Sequence, residues 1–138
     1  MPLSTFADQF LPMFRRLFSL ACFSCWLAGC QTNVDIANFD EEAFRSDPRG
    51  CRGIRAAMRD TLFAVDSQFK RLTQEEIYST LGKPDRQELA SRSQKYFVYY
   101  IEAAPECPSA KQAAALPLTL YIRFSAMNRA SEVKYENY

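Results

Sequence analysis

Leu72-Thr-Gln-Glu-Glu-Ile-Tyr-Ser-Thr-Leu-Gly-Lys-Pro-Asp85 is the stretch on which the fold turns. Thr73 followed three residues later by Glu76 has the spacing of a capping box, in which each side chain satisfies the other residue's free backbone N–H. Leu72 before the cap and Ile77 beyond it form the matching hydrophobic staple. The helix so started docks through Ile77 and Leu81 alone. Gly82 offers a left-handed C-cap, and Pro84 blocks continuation. A helix this short, defined at both ends, has to lie against something larger.

Beyond Pro84 the chain alternates with the period of strands. Lys95-Tyr-Phe-Val-Tyr-Tyr-Ile101 places Phe97, Tyr99 and Ile101 on one face and Tyr96, Val98 and Tyr100 on the other. Pro117-Leu-Thr-Leu-Tyr-Ile-Arg-Phe124 sends Leu118, Leu120, Ile122 and Phe124 one way, and Thr119, Tyr121 and Arg123 the other. Residues 125–130 form a connector in which Asn128 suits a positive φ. A last strand over 132–136 carries Val133 and Tyr135 inward, and a shorter one over 86–89 leads in. The intervening Glu102–Leu116, rich in Ala and Pro, reads as a long loop.

Upstream, Ile54, Met58, Leu62, Val65 and Phe69 make one apolar stripe, predicting a helix from about Gly53 to Phe69. Arg55, Arg59, Asp66 and Lys70 fall off the stripe and are expected in solvent. Phe39–Phe44 reads as a helical turn touching the body through its two phenylalanines. Asp40, Glu41, Glu42 and Asp47 read as its solvated acidic start. Helices first and strands after predict an α+β fold: two helices packed on one face of a three- to four-stranded antiparallel sheet. The opposite face, with Tyr96, Val98, Tyr100, Tyr121 and Arg123, has no element left in the sequence to cover it. Aromatics with an arginine are what protein interfaces enrich, although tyrosine also simply suits strands.

The chain has 138 residues, enough for one domain, with 17 basic and 16 acidic side chains, a net charge of +1, and no histidine. Balanced charge gives no reason to expect nucleic acid. Without histidine the commonest general base and zinc ligand are missing. The sequence holds no glycine-rich phosphate loop, nucleophile elbow or metal-spaced cluster, so no enzyme, cofactor or metal is expected.

Residues 1–29 read as an address. Arg15 and Arg16 precede Leu17–Ala28, an uncharged run that is shorter than the about 20 apolar residues of a bilayer span. Met13 is a second candidate start just ahead of the arginine pair. Leu27-Ala28-Gly29-Cys30 then resembles a bacterial lipobox, which implies peptidase cleavage after Gly29 and a lipid on Cys30. The alternative is an uncleaved buried helix or weak anchor. The expected organisation is a signal peptide over 1–29, a lipidated tether over 30–38 and a domain over 39–138. Cys22 and Cys25, spaced like a redox pair, fall inside the apolar run. Gln31 is not the aspartate tied to inner-membrane retention, which favours the outer membrane of a bacterial envelope. Two cysteines then remain, Cys51 and Cys107, and an even remainder in an oxidising compartment reads as a disulfide. The other reading is a reactive thiol tuned by Arg49 and Arg52.

The capped helix ending in Leu81-Gly-Lys-Pro84, then Lys95-Tyr-Phe-Val-Tyr-Tyr100 and Leu120-Tyr-Ile-Arg-Phe124 behind a lipobox, resembles the BamE-like (SmpA/OmlA) lipoprotein domain over roughly residues 54–136. Where that family has Gly-Met-Thr, this chain has Lys70-Arg71-Leu72-Thr73. The Gly50-Cys51-Arg52-Gly53 segment is closer to uncharacterised lipoproteins of Bacteroidota. The resemblance implies two helices on a three-stranded antiparallel sheet. It also implies a non-catalytic envelope lipoprotein that docks another envelope protein, linked to outer-membrane protein assembly. An inhibitor-like module for a periplasmic enzyme is the alternative, since β-lactamase inhibitor proteins share the architecture.

Overall fold

The computed structural model describes residues 34–91, 94–108 and 116–137, all within the unit Thr32–Tyr138. In order along the chain come α1 (Glu41–Arg45), a 3-10 turn (Pro48–Gly50), α2 (Ile54–Ala57), α3 (Arg59–Phe69), α4 (Gln74–Leu81), β1 (Arg86–Ala90), β2 (Gln94–Tyr100), β3 (Leu118–Phe124) and β4 (Ala130–Asn137). The strands form one antiparallel meander in the order β1-β2-β3-β4. This is the α+β fold that the pattern of elements predicts, with four strands.

The capping box is present in both directions. The Thr73 hydroxyl accepts from the Glu76 N–H at 3.2 Å, and the Glu76 carboxylate accepts from the Thr73 N–H at 2.7 Å. The Thr73 hydroxyl also donates to that carboxylate at 2.9 Å, and the two donors hold the Glu76 carboxyl below its ordinary pKa, the Thr73 backbone N–H contributing most. At the other end Gly82 has φ 78° but ψ −169°, so the chain leaves the helix straight into extended backbone rather than through the expected left-handed cap. A Cβ there would lie 3.0 Å from the Arg45 side chain, which sits in that space because its guanidinium donates to the Ser79 and Thr80 carbonyls. Free carbonyls at a helix C-terminus need donors, and here α1 supplies them.

The single helix expected over 53–69 is two. Met58, at φ −89° and ψ 3°, separates α2 from α3. α3 follows the stripe and buries Leu62, Val65 and Phe69, whereas α2 is aimed by the polar contacts of Asp47 and Arg55. Phe39 and Phe44 are buried and stack at 5.6 Å, as the sequence suggests. Within the segment expected as a tether, Ile36 is only 2% exposed and Val34 packs on the core.

One sheet face carries the core. Phe97, Tyr99, Ile101, Leu120, Ile122 and Phe124 meet Leu62, Val65, Phe69, Ile77 and Leu81, with Val133 and Tyr135 at the margin. The Tyr99 hydroxyl donates to the Gly82 carbonyl at 3.0 Å, and burial pushes its pKa above the ordinary tyrosine range. Tyr135 donates to the Leu62 carbonyl at 3.3 Å and is shifted upward for the same reason. Asn128 takes the positive φ, 56°, expected of it in the β3–β4 turn.

Candidate functional site

Register decides what shares the second sheet face. Arg86, Val98, Tyr121 and Lys134 form one row across the four strands, and Glu88, Tyr96, Arg123 and Glu132 form the next. Apart from Arg123 on β3, aromatic and apolar side chains thus fill these rows on the middle strands while charges line both edges. Arg123 Nε lies 2.9 Å from Glu132 Oε2 across the β3–β4 pair, and Lys134 Nζ lies 2.8 Å from Glu136 Oε1 along β4. Arg86 pairs with Glu88 along β1. Hydrogen bonding to Glu136 raises the Lys134 pKa above its ordinary value.

The sequence grouped Tyr96, Val98, Tyr100, Tyr121 and Arg123 on this face, and they share it. The expectation that the face is uncovered does not hold. Val98, Tyr100 and Tyr121 are 0%, 5% and 4% exposed, and only Tyr96 and Arg123 are half-buried. Part of the cover comes from the edge strands, whose long cations lie over the rings. Lys134 Nζ stands 5.1 Å from the Tyr121 ring and 5.7 Å from Tyr96, and the Arg86 guanidinium 5.9 Å from Tyr100. The chain after β2 adds more, since Ala104 and Cys107 pack against Tyr100. Cys107 and Cys51 have their sulfurs at disulfide distance, with Cα atoms 5.3 Å apart. Pro105, Glu106 and Pro108 remain exposed beside them.

Beneath Tyr100 lies a buried polar knot that the sequence reading missed. Arg55, expected in solvent, has its side chain 2% exposed and donates to Asp85 Oδ2 at 2.6 Å. It also donates to the Phe44 and Tyr100 carbonyls at 3.1 Å each, with its guanidinium carbon 4.3 Å from the Phe44 ring centre. Asp85 accepts in addition from the backbone N–H groups of Arg49 and Tyr100, both at 2.9 Å. Asp47, expected in the solvated acidic cluster, is fully buried. Its carboxylate takes the N–H groups of Arg52, Ile54 and Arg55 at 2.8, 2.8 and 3.1 Å, which are donors left free at the start of α2. Both corrections share one cause: Arg55 pairs with Asp85 and backbone carbonyls and Asp47 with backbone N–H groups, so each enters the interior with partners. The available signal was Gly50-Cys51-Arg52-Gly53, two glycines bracketing a turn tight enough to bring Asp47 back onto the helix. Gly50 has φ 65°, and a Cβ on it would stand 2.7 Å from the Glu102 carbonyl oxygen. The knot is structural chemistry: Arg55 and Asp85 form an ion pair, and the Asp47 carboxylate is satisfied by three backbone N–H groups.

Arg123 also lines an open groove of about 860 Å³ at the end of the sheet, with Gln74, Gln94, Lys95 and Ser131. Lys95 Nζ donates to Gln74 Oε1 at 3.0 Å and Arg123 Nη1 to Gln94 Oε1 at 3.4 Å. Leu89, 82% exposed, forms one wall. The groove offers hydrogen bonding and positive charge.

Among the described residues no group of three or more His, Cys, Asp or Glu is placed to hold a metal ion, and no helix is long and apolar enough to cross a membrane. Cys22, Cys25 and Cys30 lie outside the described residues. No family model matches the chain, and neither a curated protein nor a solved structure does so.

Proposed function

We propose that this chain is a non-catalytic lipoprotein of the bacterial cell envelope, held by a lipid on Cys30, whose folded domain docks another envelope protein. The observation that carries the reading is the order Arg15-Arg16, Leu17–Ala28, Leu27-Ala28-Gly29-Cys30. A positive segment, a short apolar run and small residues before a cysteine are what a lipoprotein peptidase needs to reach the backbone and leave the thiol acylated. One acyl chain alone holds a protein only reversibly, and the resemblance to bacterial lipoproteins implies a multi-chain anchor on Cys30. The outer membrane is the favoured site. Two cysteines at disulfide distance suit an oxidising compartment. Docking is assigned to what the second sheet face leaves accessible, Tyr96 and Arg123 with their charged rim, and to the exposed Pro105–Pro108 edge.

Cys30→Ser tests the anchor. The variant is expected to leave the membrane fraction and to lose the mass of its lipid; a variant that partitions like its parent sinks the reading. Crosslinking in intact cells tests the docking: Tyr96→Glu with Arg123→Glu is expected to remove a crosslinked partner that the parent chain captures. Unchanged partners would move docking off this face.

A further inference from the structure

β4 is the longest strand, and among the described residues no strand lies beyond it. Long free edges are templates for pairing with another chain unless their charge pattern forbids it. The ladder fixes which backbone groups point outward. The Leu118 carbonyl accepts from the Ile101 N–H at 2.9 Å, so Leu118 faces β2, and the Arg123 carbonyl accepts from the Ser131 hydroxyl at 3.2 Å, so Arg123 faces β4. Odd-numbered residues of β3 therefore bond to β4, opposite Lys134 and Glu136. Val133, Tyr135 and Asn137 are left with their N–H and C=O groups turned to the free edge. Along the edge Glu132, Lys134 and Glu136 alternate in sign on one face. On the other face the Phe63 ring, 42% exposed, meets Tyr135 edge-on at 4.5 Å.

We propose that β4 pairs antiparallel with β4 of a second copy of this chain, in the register centred on Tyr135. Because only outward-bonding residues can exchange hydrogen bonds across the edge, several symmetric registers compete, and those centred on Glu132 or Glu136 set glutamate against glutamate. Centring on Lys134 sets lysine against lysine and Glu132 against Glu136, and like charges directly opposite are destabilising. Centring on Val133 opposes Glu132 and Lys134, which would draw Glu132 from Arg123 at 2.9 Å and Lys134 from Glu136 at 2.8 Å, whereas centring on Tyr135 adds to the Lys134–Glu136 pair that each copy already makes. Centring on Tyr135 sets Lys134 of each copy against Glu136 of the other, twice. Val133 and Asn137 then form the flanking hydrogen-bonded pairs, and the two Phe63–Tyr135 clusters meet near the axis, which removes exposed aromatic surface from water. The two sheets become one of eight strands. This pairing is independent of the lipoprotein assignment.

Sedimentation of the full chain in neutral detergent micelles, over a range of concentrations, is expected to show a reversible dimer. Lys134→Glu is expected to weaken it about tenfold, since two opposed pairs become two like pairs. Adding Glu136→Lys to that variant is expected to restore the dimer, because the exchange returns opposite charges only in this register. Carbodiimide treatment of mixed light- and heavy-nitrogen chains is expected to yield a mixed-isotope Lys134–Glu136 crosslink. A chain that stays monomeric, a dimer indifferent to Lys134→Glu, or an exchange that fails to restore it overturns the proposal. Should the single variant fail to fold, absence of the mixed-isotope crosslink in the unaltered chain overturns it just as well.

Discussion

The Arg55 guanidinium and the Asp85 carboxylate, thirty positions apart in sequence, meet at 2.6 Å with their side chains only 2% and 3% exposed. Each has further partners: Arg55 reaches two backbone carbonyls, and Asp85 takes two backbone N–H groups. The pair thereby joins α2, the turn after α4 and the end of β2.

A buried pair is costly to break from one side, because the survivor is left charged and unpaired. Arg55→Ala and Asp85→Ala are each expected to destabilise the fold by about 3–5 kcal/mol in urea titrations. The double variant is expected to cost clearly less than the sum of the two. Simple additivity would show that the two groups act separately.

The glycines around the 3-10 turn are not equivalent. Gly50→Ala is expected to cost about 3 kcal/mol or more, because it adds positive-φ strain to a Cβ 2.7 Å from a fixed carbonyl. Gly53→Ala, at φ 75° with nothing within 4 Å, carries the strain alone and is expected to cost about 1–2 kcal/mol. Equal midpoint shifts in thermal melts would refute the distinction.

Protein made in an oxidising compartment is expected to gain the mass of two hydrogens on reduction, from the Cys51–Cys107 pair. Their separation of 56 positions gives a loop-closure contribution of about 4 kcal/mol on the chain-entropy model. Cys51→Ser or Cys107→Ser is therefore expected to lower the denaturation midpoint to that of the reduced parent. Two free thiols in the mature protein would remove the bridge.

Glu76 has its pKa lowered in the folded state by the Thr73 backbone N–H and hydroxyl. Its contribution is therefore complete above the ordinary carboxyl value of 4.5 and fades as pH falls through the lower folded value. Glu76→Gln is expected to reduce the loss of stability in that acid window, and Thr73→Ala to cost about 1 kcal/mol at neutral pH. An acid profile unchanged by Glu76→Gln would contradict the box as an ionised contact.

How far the sequence could be read differs from residue to residue. Thr73 and Glu76 were legible because a cap is a contact between neighbours in the chain. The alternation of Phe97, Tyr99 and Ile101 against Tyr96, Val98 and Tyr100 was legible because strand period assigns faces without reference to any partner. Arg55 was misread as solvated because its partners, Asp85 and the Phe44 and Tyr100 carbonyls, lie in other elements, and Asp47 because the Gly50–Gly53 turn that returns it to α2 was not read as one. Tyr121 and Val98 were assigned to the correct face but not to its cover, because Lys134 and Arg86 reach that face only through a register set by β1–β2 and β3–β4 pairing.

What the sequence determined alone was therefore the local: the capped helix and the strand period. The tertiary structure decided where charge could be buried, where Met58 bends the first helix, and which tyrosines stay accessible. The physical reason is the range of the interaction. Capping and periodicity act over one to four residues of one chain segment, whereas burying a charge needs partners brought together by the whole fold.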